Sequence, residues 1–129
     1  MQPEESRYPQ DWKRIADKDL DRADRMLADN DAEAAAFYVQ QALEKYLKAF
    51  LLSKGWALRR IHDLEVLLND ALPHDSSLHE FRTLCQRATG YYFVERYPFS
   101  APTGLTSEKV AQSLAEAKRF IERLLGQIK

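Results

Sequence analysis

The chain has 129 residues, of which 45% are apolar and 30% charged, and a formal net charge of −1. That is the size and make-up of one globular domain with its own core, and the small charge argues against a strongly basic surface that grips nucleic acid by counterion release. The one cysteine, Cys85, excludes an internal disulfide and fits a reducing compartment; no apolar run approaches the roughly 18 residues of a membrane span and the opening M-Q-P-E-E-S-R has no signal-peptide core, so a cytoplasmic, non-membrane protein is expected.

The periodicity is helical throughout. A first helix is predicted over residues 9–29, with Pro9 in its first turn, where a missing N–H costs nothing. Trp12, Ile15, Ala16, Leu20, Ala23, Met26 and Leu27 recur at helical spacing. The other face is charged, with Lys13/Asp17 and Asp21/Arg25 as i,i+4 pairs on a solvated surface. Asn30 or Asp31 can cap a second helix over 32–54, with Glu33 near the third position of a capping box. Its apolar residues, from Phe37 to Leu51, nearly surround it and leave one polar stripe of Gln40, Gln41, Glu44, Lys45 and Lys48. A helix this apolar contacts several neighbours or a partner subunit. Gly55 stops it.

A short third helix is predicted over 63–72, capped by Asp63 and ended by Pro73. Ser77 and Glu80 form a capping box for a fourth helix that runs to about Arg96. Leu78, Phe81, Cys85, Ala88 and Tyr92 make its apolar stripe, and Gly90 weakens it by about 1 kcal/mol relative to alanine. Residues 97–105 read as a loop. Thr106 caps a fifth helix whose Val110, Leu114, Ala117, Ile121, Leu124 and Ile128 step 4-3-4-3-4, the seam of an antiparallel bundle. The expected fold is all-α: a single domain over 1–129, an antiparallel up-down four-helix bundle with one additional short helix.

Three places bring together residues that could carry chemistry. The turn from Lys54 to Asp63 concentrates Lys54, Arg59, Arg60 and His62 next to a helix start, where free N–H groups and the helix dipole attract anions. Equally, His62 can pack or help cap the helix while the arginines are solvated. In the segment Tyr91 to Pro98, Arg96 can pair bidentately with a phosphate while an aromatic such as Tyr92 stacks on a base; alternatively the tyrosines line the bundle and Arg96 meets a carboxylate. Gln41, Lys45 and Lys48 can line a groove, although Glu44 and Lys48 also suit a structural surface pair. His74 and His79 are not spaced as helical metal ligands, and no metal or cofactor is expected. Cys85 falls on the apolar stripe, as a buried thiol would.

The stretch Ala35 to Ala49 has the form A-x-x-x-x-Q-Q-A-x-E-K-x-L-K-A, and His62-Asp63-Leu64, Arg96-Tyr97-Pro98 and an amphipathic last helix follow it. In these motifs and their order the chain resembles the HEPN (higher eukaryotes and prokaryotes nucleotide-binding) family over most of its length. The resemblance implies an antiparallel helical bundle, commonly a homodimer, often made beside a minimal nucleotidyltransferase in a toxin–antitoxin-like pair. A subset of the family are metal-independent ribonucleases with an R-x(4–6)-H motif, in which arginine steadies phosphate charge and histidine assists proton transfer. This chain departs from that motif. Arg59 and Arg60 precede His62 by three and two residues, and no histidine follows Arg82, Arg87 or Arg96. The resemblance therefore implies a non-catalytic member, with Arg60, His62, Tyr92, Arg96 and Lys45 as candidate contacts to nucleotide or RNA; the alternative is a ribonuclease with a non-standard Arg/His pair. The apolar arc of the second helix, with Trp56 and the tyrosines of the fourth, predicts a homodimer.

Overall fold

The computed structural model describes residues 6–94 and 104–128. The first helix, α1 (Pro9–Ala28), ends where Asn30 takes φ 59°, a left-handed conformation that asparagine tolerates better than most residues. The Asn30 amide then reaches the Leu27 carbonyl and the Asp31 amide reaches that of Met26, which satisfies two carbonyls of the last turn. Asp31 also opens α2 (Ala32–Ser53): its carboxylate accepts from the Ala34 amide at 3.1 Å. With so short a connection the two helices are antiparallel neighbours. At the far end of α2, Gly55 at φ 86° lets its amide bond Leu52 and the Trp56 amide bond Leu51.

Asp63 caps α3 (Leu64–Ala71), accepting from the amides of Glu65 and Val66 at 2.9 and 3.3 Å. The fourth helix differs from expectation. Ser77 and Glu80 do not form a capping box. Asp75 caps instead, accepting from Ser77, and a 3-10 turn covers Ser76–Phe81 before α4 (Arg82–Tyr91) begins. The reason is tertiary: Arg123 draws Glu80 to 3.1 Å and Ser77 Oγ to 3.0 Å, and Gln127 donates to Asp75 at 2.8 Å. Thr106 caps α5 (Ser107–Leu125), accepting from Lys109. The described residues contain no strand, and none of their helices is long and apolar enough to cross a membrane.

The core forms around α2, which touches α1, α3, α4 and α5. Val39, Leu43, Tyr46, Leu47, Phe50 and Leu51 are all buried, and Phe81 stacks on Phe120 with centroids 4.5 Å apart. Two expectations need correction. The apolar arc of α2 is not surplus surface awaiting a second subunit, because the chain's own helices cover it; the exposed large apolar residues among those described are Tyr8, Val66 and Phe93. Nor is the polar stripe of α2 on the outside. Gln40, Glu44 and Lys48 are each 3% exposed or less, and Asp19, which falls at helical spacing from Ala16 and Ala23 on the inner face of α1, is 1% exposed.

Candidate functional site

Glu44 is the centre of the buried stripe. Gln40, Glu44 and Lys48 fall at i, i+4 and i+8, so they share one face of α2. Gln40 Nε2 donates to Glu44 Oε1 and to the His62 carbonyl, both at 3.1 Å, while its Oε1 accepts from Gln41. Lys48 Nζ donates to Glu44 Oε2 at 2.9 Å and lies 5.2 Å from the Trp12 ring centroid. Both members of that ion pair have side chains only 4% exposed. Such a pair holds because carboxylate, ammonium and indole satisfy one another; removing one strands the rest.

His62 sits on the outer edge of this network. Its Nδ1 is 2.8 Å from Glu44 Oε1, and its side chain is 52% exposed. An ionised carboxylate only accepts hydrogen bonds, so Nδ1 carries the proton in that contact and Nε2 is the basic nitrogen of the neutral ring. Tyr92, just past α4, stacks on the imidazole with centroids 4.7 Å apart and planes 18° off parallel. Gln40 thus fixes the backbone of the turn, Glu44 fixes the ring, and Tyr92 lies along its face.

Of the residues singled out from sequence, His62 and Tyr92 are therefore brought together. Arg60 lies two residues before His62 and lines a separate cleft with Arg7 and Trp56. Lys45 pairs with Asp19 of α1, which also accepts from Arg22 at 2.7 Å. Arg96 lies outside the described residues. Sequence reasoning assigned no site role to Gln40, Glu44 or Trp12. The available signal was the run of polar side chains at i, i+4, i+8 inside an otherwise apolar helix.

Two further groups are chemically quiet. Burial, reinforced by the hydrogen bond it gives Asp17, pushes the Tyr46 hydroxyl well above its ordinary range, so it remains a donor. Burial pushes the Cys85 thiol up to about 12, which leaves almost no thiolate near neutrality. Among the described residues no group of histidine, cysteine and carboxylate side chains is gathered to hold a metal ion.

The fold recurs in solved structures. TT1696 from Thermus thermophilus is 27% identical and superposes with a TM-score of 0.78, over 92% of this chain and 97% of that one. ST0689, an archaeal HEPN homologue, is 25% identical with a TM-score of 0.74, over 95% and 98% of the two chains. No curated protein matches the sequence. The HEPN domain family itself matches residues 9–127, nearly the whole chain. With its bundle and its motif-bearing second helix in place, this chain belongs to the HEPN domain family.

Proposed function

We propose that the protein is a non-catalytic HEPN module that acts in the cytoplasm as a homodimer, opposite a minimal nucleotidyltransferase in a toxin–antitoxin-like pair. Its contact edge for a nucleotide or an RNA phosphate is Arg60, His62 and Tyr92, with Arg96 and Lys45 as further contacts. The observation that carries this reading is the His62–Tyr92 stack, held from behind by Glu44. A pre-positioned pair of flat rings suits a base, and a guanidinium suits a phosphate. The absence of R-x(4–6)-H from the sequence favours binding over cleavage.

The test is a thermal-shift panel of ATP, GTP, AMP and short RNA, with His62→Ala and Arg96→Ala alongside. A ligand at a hundredfold above Kd stabilises by about 2.7 kcal/mol, several degrees in a domain of this size. A shift lost in the variants supports the site. A flat panel, together with no co-purification of a nucleotidyltransferase encoded beside the chain, ends the proposal. A monomeric mass by light scattering at micromolar concentration removes the dimer.

One observation favours a second reading. The Glu44–His62 contact leaves Nε2 of a half-exposed imidazole as a base, the usual outfit of an acid–base histidine. Metal-independent RNA cleavage that His62→Ala abolishes, with the fold intact, would establish a ribonuclease; intact RNA across a broad substrate set dismisses it.

A further inference from the structure

The hydrogen-bond partners of Glu44 among the described residues are not alike. Its Oε1 accepts from Gln40 Nε2 at 3.1 Å and from His62 Nδ1 at 2.8 Å, the first an amide and the second a ring nitrogen that needs no positive charge to donate. Its Oε2 accepts from Lys48 Nζ at 2.9 Å. Lys48 is thus the permanent counter-charge of a carboxylate whose side chain is 4% exposed. A buried carboxylate without a counter-charge takes up a proton, because burial disfavours the charged form. Lys48 is fixed in turn. Its ammonium lies 5.2 Å from the Trp12 ring centroid, and the Trp12 indole donates to the Ser6 carbonyl at 2.7 Å.

Through Glu44 the charge on Lys48 reaches His62. With Lys48 in place the ionised carboxylate already has its cation, so it holds the Nδ1 hydrogen and leaves Nε2 with its lone pair. Without that charge the Glu44–His62 pair takes up one more proton from solvent, and there are two places for it. On the ring it makes an imidazolium, whose Nε2 carries a hydrogen. On the carboxyl it makes an O–H that donates to Nδ1, which moves the ring hydrogen to Nε2. Either way Nε2 changes from acceptor to donor. The other charged or titratable groups around the ring do not replace Lys48. Tyr92 gives the imidazole a ring face, Asp63 is taken by the amides of Glu65 and Val66, and Arg60, two residues back in the turn, is not a partner of Glu44.

We infer that Lys48 is a positioning residue for His62: acting through Glu44, it fixes Nε2 as a hydrogen-bond acceptor at neutral pH. Lys48 is itself 3% exposed and touches no ligand. The inference deepens the nucleotide reading and rests on it for its use. What meets Nε2 in a bound nucleotide is then a hydroxyl or amino hydrogen, not a phosphate oxygen.

Nitrogen NMR of the isotope-labelled, ligand-free chain tests this, because ring nitrogens with a hydrogen and with a lone pair resonate far apart. The His62 signals are assigned by their loss in His62→Gln. At neutral pH the wild-type ring should carry its hydrogen on Nδ1 and a lone pair on Nε2. Lys48→Gln removes the charge and keeps an amide donor on the same side chain, and it should move Nε2 into the range of a protonated nitrogen. Lys48→Arg keeps the charge and should restore the wild-type pattern. A lysine that only packed α2 against α1 would lower the melting temperature in Lys48→Gln and leave Nε2 as it was. Three results overturn the inference: a hydrogen on wild-type Nε2, a folded Lys48→Gln with Nε2 still an acceptor, or Lys48→Arg with Nε2 a donor. The first and third decide it even where Lys48→Gln does not fold. Because no nucleotide is present, a flat nucleotide panel beside the expected nitrogen pattern removes the nucleotide reading alone. A nucleotide response beside an unchanged pattern in Lys48→Gln removes this inference alone.

Discussion

α2 meets its neighbours in two different ways. Towards α1 the contact is charged: Lys45 with Asp19, Tyr46 with Asp17, and Lys48 over Trp12 beside Glu44. That seam has an apolar part as well: Ala16 and Ala23 are buried, and Leu20, Met26 and Leu27 of α1 pack against the core. Towards α3, α4 and α5 the packing is hydrocarbon, with Leu67, Leu68, Leu84, Leu114, Phe120 and Leu124 buried. Apolar burial is non-directional and supplies most of the stability. Paired charges add little net stability but are costly to mismatch. The contrast indicates that the hydrocarbon side holds the fold together while the charged side fixes the register of α1 and aims His62.

The two largest expected effects set these sides against each other. Phe120→Ala should cost about 3–5 kcal/mol in urea denaturation, since its ring is fully buried against Phe81. Glu44→Ala should also cost about 3–5 kcal/mol, by stranding Lys48. The second loss, unlike the first, should be largely recovered by making the pair apolar together, as Glu44→Leu with Lys48→Met. If Glu44→Ala is nearly neutral, or the double variant is worse than the single, the charged seam is not sealed and the comparison fails.

A smaller effect lies in the acid limb of stability. The Arg82 hydrogen bond, helped by Gln86, holds the Glu65 carboxyl below its ordinary range. The Ser77 hydroxyl, with Gln127, does the same for Asp75. A carboxyl depressed in the folded state contributes stability that is present above its unfolded pKa and lost as pH falls through its folded one. Melting temperature should therefore drop as pH falls below the ordinary carboxylate range, and Glu65→Gln with Asp75→Asn should flatten that slope. Both groups tie hydrocarbon-side elements together, so an unchanged slope would assign acid sensitivity to the α1 seam instead.

The smallest effect has the opposite sign. A Cβ added at Gly90 meets nothing within 4 Å, and its φ is not positive. Gly90→Ala should stabilise by about 0.4–1 kcal/mol, chiefly by restricting the unfolded chain. A loss of stability on thermal melting would reveal a packing role for that glycine.

Much of this fold is legible in the sequence because its signals are local. Asp31, Asp63 and Thr106 cap the helices they precede, and Gly55 ends α2, each within a turn of its own residue. What periodicity could not supply is the partner across the bundle. It reads Glu44 and Lys48 as a surface pair because a paired buried charge and an exposed one have the same spelling. Ser77 and Glu80 spell a helix start, yet Arg123, more than forty residues away, takes both. The arc of α2 is legible as apolar, but whether the chain or a second copy covers it depends on four other helices. At the candidate site, His62 and Tyr92 are visible separately; the stack between them depends on Gln40 and Glu44, whose roles emerge only once the turn is folded back on α2.

The turn at Asn30 and Asp31 bears on how the protein is made. It joins α1 and α2 through neighbouring residues, so closing it costs little loop entropy. The hairpin also contains its own charge partners: Asp17 with Tyr46, Asp19 with Lys45, Glu44 with Lys48. As the chain leaves the ribosome, N-terminal part first, every one of those groups has its mate before α3 has been synthesised. The hydrocarbon half can then assemble on a template whose electrostatics are already settled, rather than on a nascent chain still searching for counter-charges.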